Sequence, residues 1–86
     1  MDRPTTGRIV RYRGTQGLHA IRAAIVTADV DTLDPAGVQV GAVPPLDSAF
    51  HVHLWVFTPG AAGGFPEHNI PPGSEPGTWH WPAAAG

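Results

Sequence analysis

Two imidazoles in the run Phe50-His51-Val52-His53-Leu54-Trp55-Val56-Phe57 offer the most direct chemistry in this chain. An H-x-H pair on a strand puts both rings on one face, a spacing at which they can meet one metal ion. A site needs a third and usually a fourth ligand, and His19, His68, His80 and Glu67 are the available donors. No paired motif selects among them, and nothing nearby reads as the acid or base that catalytic zinc requires. H-x-H alone is a weak signal and histidines at a surface or an interface account for the pair better, so neither a metal nor a cofactor is expected.

Trp79 and Trp81, with Trp55, can form an aromatic platform for sugars or unstacked bases. They can also seal one end of a small barrel, or anchor a protein partner. Arg11 and Arg13 stand two apart on one strand face, with Arg8 on the other face beside Val10 and Tyr12. Guanidinium forks suit carboxylates and phosphates, although such a pair also reads as a solvated face. Five Arg, no Lys and a net charge of −2 make a poor footprint for nucleic acid, and no such partner is expected.

Cysteine is absent, which removes thiol nucleophiles and disulfides. Gly60 to Gly64 lacks the Lys-Ser/Thr of a phosphate loop. Acyl transfer, phosphoryl transfer and redox chemistry have no support, so no catalytic residue is assigned and no enzyme is expected. The residues carried forward are interface candidates: Arg8, Arg11, Arg13, His51, His53, Trp55, Trp79 and Trp81.

The elements that must position them are short. In Phe50 to Phe57, the residues Phe50, Val52, Leu54 and Val56 share one face at period two, and Thr58-Pro59-Gly60 stops the run. Gly7 to Arg13 is a first strand with Val10 and Tyr12 facing the core. Leu18 to Val30 carries a helical stripe of Leu18, Ile21, Ile25 and Ala28. Its β-branched Ile25-Val26-Thr27 and missing capping box favour a long strand from Ile21 to Val30, buried on both faces in its middle. A short helix there is the alternative. Residues 31–49 form one long loop with a turn at Asp34-Pro35-Ala36-Gly37, and Val38-Gln39-Val40 suits a brief edge strand. Phe65 to Ile70 is an edge strand because of Pro66, and Thr78 to Trp81 is the last strand.

At 86 residues there is room for one domain, with residues 1–6 as an arm and 82–86 as a tail. Eleven Gly and ten Pro fit short strands and turns better than a helical bundle. The expected fold is all-β, a small antiparallel barrel or roll of about five strands resembling SH3-like barrels. Its expected core is Val10, Tyr12, Ile21, Ala23, Ile25, Val52, Leu54, Val56 and at least one of Trp79 and Trp81. Such a chain buries roughly 60–65% of its unfolded surface, so assembly is an obvious extra source of stability. No apolar run approaches the length of a membrane span and no signal-peptide core is visible, so a soluble protein is expected.

Charge is segregated along the chain. The first 22 residues hold all five Arg against Asp2, a net of +4, and the remainder holds six acids, a net of −6. This asymmetry favours directional docking, unless folding interleaves the two halves.

Two blocks, Arg22-Ala23-Ala24-Ile25-Val26-Thr27 and Gly77-Thr78-Trp79-His80-Trp81-Pro82, carry a resemblance. They are joined by Leu54-Trp55-Val56-Phe57-Thr58-Pro59-Gly60 and introduced by Gly7-Arg8-Ile9-Val10-Arg11-Tyr12. The order resembles small, mostly uncharacterised proteins of actinobacterial phages and prophages, over about 60% of the chain. The loop from Asp31 to Ser48 is longer than that pattern. The resemblance implies a phage gene product of small β fold and no established activity. With the absence of catalytic motifs, it leads to the expectation of a virion accessory protein, a capsid decoration (cement) or minor capsid protein. Its partners would be the major capsid protein or another virion protein, and copies of itself. It would be made in the host cytoplasm and end on the capsid surface. A small non-virion module that binds a host protein or nucleic acid is the alternative.

Overall fold

Alternating runs bounded by Gly and Pro become five antiparallel strands. The computed structural model describes residues 2–15, 21–60 and 63–82. The strands are β1 (Ile9–Arg13), β2 (Ile21–Ala28), β3 (Val52–Phe57), β4 (Gly64–Ile70) and β5 (Trp79–His80). They form one sheet in the order β4-β3-β2-β1-β5. The expected turn at Gln16 and Gly17, the helix alternative at Leu18 to Ala20 and the tail from Ala83 lie outside the described residues. Among the described residues no helix is long and apolar enough to cross a membrane.

The sheet curls strongly. Tyr12 on β1 reaches over the concave face to β4, where its hydroxyl donates to Glu67 Oε2 at 2.8 Å. The Trp79 indole Nε1 donates to the Phe50 carbonyl at 2.8 Å, tying β5 to the approach of β3. A single bridge between Pro72 and Trp79 links the segment after β4 to β5. The result is an all-β roll and not the closed barrel that the SH3-like expectation allowed.

Inside the curl lie Val10, Tyr12, Ala24, Val26, Val52, Leu54, Val56, Ile70 and Trp79. The register explains the set: Val10 stands opposite Ala24, Ala24 opposite Val56, and Val26 opposite Leu54. The expected core is therefore corrected at β2. Ile21 and Ala23 are exposed and Ile25 is half-buried, whereas Ala24 and Val26 point inward. Tyr12 and Trp79 fill so much of the concave side that the smaller set of β2 side chains fits there, and the larger aliphatics are turned out.

Residues 31–49 also depart from expectation. Instead of an edge strand at Val38-Gln39-Val40, Pro35–Gln39 forms a short helix, α1. Asp34 caps it, accepting from Ala36 N at 3.1 Å, and Pro35 occupies the first turn, where no N–H is needed. The loop folds back on its own sheet: the Asn69 side chain accepts from Asp47 N and donates to Asp47 Oδ2, at 3.0 and 2.9 Å. Asn69 sits in the left-handed region at φ 55°, where the β3–β4 register shifts.

Candidate interaction surface

Alternation that buries one face of the sheet necessarily presents the other. On the convex side the register builds a row across four strands: Ile9 opposite Ile25, Ile25 opposite Trp55, and Trp55 opposite Pro66. A second row runs from His80 through Arg11 and Ala23, which the same register sets beside Phe57 and then Gly64. Ile9 is 64% exposed, Ile21 50%, Phe57 47% and Trp55 39%. The outward strand positions of this face carry no carboxylate. Contiguous apolar surface of this kind on a small domain marks an interaction site more often than scattered single residues do.

Trp55 is held in place. A Cβ at Gly64 would lie 2.6 Å from the Trp55 indole Nε1 and 2.4 Å from the Val56 carbonyl, so only glycine lets the ring lie back across β4. The indole thus lies against the β4 backbone as a flat, partly exposed surface.

The edges beside this face are poor places for another strand to add. Pro66 sits within edge strand β4, and β5 has two residues and is followed by Pro82. Both features discourage edge-to-edge pairing. Face contact remains.

The eight candidates separate clearly. Arg11 and Trp55 lie on the convex face. Arg13 shares that face, but its Nη1 donates to the Ser74 carbonyl at 2.8 Å, tying down the loop before β5. Arg8 stacks its guanidinium 4.7 Å above the Trp81 ring. Trp81 packs edge-on against Trp79 at 5.3 Å, and its indole N–H points to the Asp2 carbonyl at 3.3 Å. Trp79 has no exposed surface and His53 is 3% exposed, so neither can meet a partner. These two are corrected to interior residues. The tryptophan pair acts as a seal at one end of the roll.

His51 and His53 do not converge on a common point. His51 Nδ1 lies 2.6 Å from Ser48 Oγ. His53 Nδ1 accepts the Asn69 N–H at 3.0 Å, so Nε2 carries the proton and donates to the Pro44 carbonyl at 2.7 Å. Burial disfavours the imidazolium and, although the Pro44 carbonyl opposes this, neighbouring His68 adds to it, so the His53 pKa falls below its usual 6.5. Both ring nitrogens are occupied within the fold. Among the described residues no three His, Asp or Glu side chains are gathered to hold a metal.

The guanidinium groups do not form a stripe either. Arg3 pairs with Asp31, and Arg22 turns toward the Phe65 ring at 5.9 Å. The halves of the chain therefore mix their charges in part, and Arg11 remains on the open face.

A cleft of about 360 Å³ at the mouth of the roll is lined by Tyr12, Thr15, Arg22, Phe65 and Glu67. No local motif marks it, because Tyr12 and Glu67 are 55 positions apart. Burial and the adjoining Glu67 carboxylate push the Tyr12 hydroxyl up to about 12, so it holds its proton at neutral pH. That makes it a structural donor and not a base.

Comparison with protein-family models, with curated proteins and with solved structures finds no significant match to this chain.

Proposed function

We propose that this chain is a structural accessory protein of a phage particle, held by protein–protein contacts as a capsid decoration or minor capsid component. The observation that carries the reading is the exposed apolar convex face, built from Ile9, Ile21, Trp55 and Phe57 beside two poorly pairing edges. A small roll that leaves its larger β2 aliphatics in water has stability to gain from being covered. The phage setting rests on the resemblance of the two blocks around Arg22 and Gly77. Many weak copies on a repeating shell would hold by avidity, which suits a modest patch better than a single tight site.

Mass spectrometry of gradient-purified particles from an infected culture tests this. The expected result is a stoichiometric presence of the chain, with lower resistance of the particle to heat when its gene is removed. Its absence from purified particles would sink the proposal.

A further inference from the structure

We propose that the convex face is covered by a second copy of this chain, packed sheet to sheet about a twofold axis running along β2. The inference rests on reading that face as an interface, and it adds the occupant and the geometry.

Strand β2 is the middle strand of the five. Rotation by half a turn about a line parallel to it lays β1 of one copy over β3 of the other, while each row stays at its own level. In the first row, Ile9 then meets Trp55 of the second copy, and Ile25 meets its own counterpart. In the second row, Arg11 meets the Phe57 ring of the second copy, a cation over an aromatic face. Ala23, the smallest side chain of that row apart from Gly64, falls on the axis and permits close approach. One flank of the face is cationic and the other aromatic, which is the self-complementarity a twofold interface needs.

The other in-plane axis, running across the strands, would stack β1 on β1. It would bring the two Arg11 guanidinium groups to the same flank and leave both aromatic flanks facing each other. The chemistry selects the axis along β2.

Size agrees with a weak pair. The molecule measures 38 × 30 × 20 Å. Curling confines the contact to β1, β2 and β3, so the pair buries less than the roughly 800 Å² per partner of a standard interface and associates weakly. An acidic partner protein, drawn to Arg11, is the competing occupant.

Sedimentation equilibrium of the purified chain over about 1 to 300 µM tests the pairing. The expected result is a reversible monomer–dimer equilibrium, weakened about tenfold or more by Phe57→Thr and by Ile9→Thr. Val40→Thr, which alters an exposed apolar residue outside the face, leaves it unchanged. Far-ultraviolet circular dichroism confirms that each variant is folded. The native absence of cysteine allows a direct test of the axis. Thr27→Cys, at the exposed end of the central strand, is joined to itself by a bismaleimide of about 10 Å reach, the spacing of packed sheets. His68→Cys, on the β4 flank, is not.

A chain that stays monomeric at the top concentration overturns the inference, as does a dimer indifferent to both Thr variants. Cross-linking through His68→Cys and not Thr27→Cys overturns the axis. A monomeric chain present in purified particles removes the second copy and leaves the proposed function standing. A dimer absent from particles does the reverse.

Discussion

Asp29 ties the N-terminal arm to the sheet. Its carboxylate is 2% exposed and accepts from Thr6 N, Asp31 N and Thr32 N at 2.7, 2.7 and 3.1 Å, with the Thr6 hydroxyl as a fourth donor. Burial alone would raise its pKa, but these donors outweigh burial and hold it below the usual 3.8. Because the folded value is depressed, the carboxylate stabilises the fold fully above pH 3.8. That contribution is lost as pH falls through the lower, folded value. Asp29→Ala leaves the Thr6 and Asp31 N–H groups short of an acceptor, while Thr32 N keeps the Asp29 main-chain carbonyl, and is expected to cost about 1–3 kcal/mol in urea unfolding at pH 7. The deficit should shrink as the pH is taken below 4. A variant as stable as the parent at neutral pH would show that the arm is not anchored there. The sequence places Asp29 inside a strand running to Val30, because the β-branched run before it hides the turn that its side-chain acceptor forms. Its long-range partner Thr6 was not legible either, because nothing local pairs positions 23 apart. His53 and Trp79 carry the same lesson. As residue types, imidazole and indole suit a surface, and only the Pro44 carbonyl and the Phe50 carbonyl reveal that each is satisfied inside.

At the scale of elements, the strands were legible because period-two alternation and Gly/Pro punctuation are local properties. β3 begins at Val52 and not Phe50, and β2 ends at Ala28 and not Val30, differences confined to strand ends. The facing of β2 was not legible. Both of its faces are apolar, and the choice between Ile21/Ala23/Ile25 and Ala24/Val26 depends on how much volume Tyr12 and Trp79 occupy across the sheet. The helix at Pro35–Gln39 was missed because Val38 and Val40 favour strand, while the Asp34 cap and Pro35 set the backbone into a helical turn first. The β3–β4 pair offers the sharpest test of element packing. Gly64→Ala forces its methyl group against the Val56 carbonyl and the Trp55 ring, so either the ladder opens or the indole swings away. The expected cost is about 1–3 kcal/mol, typical of overpacking, with a red shift of tryptophan emission as Trp55 is displaced. Unchanged stability and emission would mean that the indole does not rest on β4.

For the molecule as a whole, two faces of one sheet pull in opposite directions. The concave face buries Tyr12 and Trp79 in a small core closed by Tyr12–Glu67 and Trp79–Phe50 contacts, and the convex face leaves aliphatic and aromatic surface in water. A free chain of this size is only modestly stable, and a partner that binds the folded form alone adds stability by mass action. If the convex face is covered by a second copy, the melting temperature must therefore depend on protein concentration. Raising the concentration from about ten times below to about a hundred times above the dissociation constant is expected to lift the melting temperature by several degrees. Phe57→Thr should flatten that dependence while leaving the low-concentration value within about 2 °C of the parent, because position 57 contributes little to the concave core. Calorimetry at a series of concentrations reads both quantities. A melting temperature independent of concentration in the parent chain would mean that the convex face stays open in solution, and its cover would then have to come from a different protein.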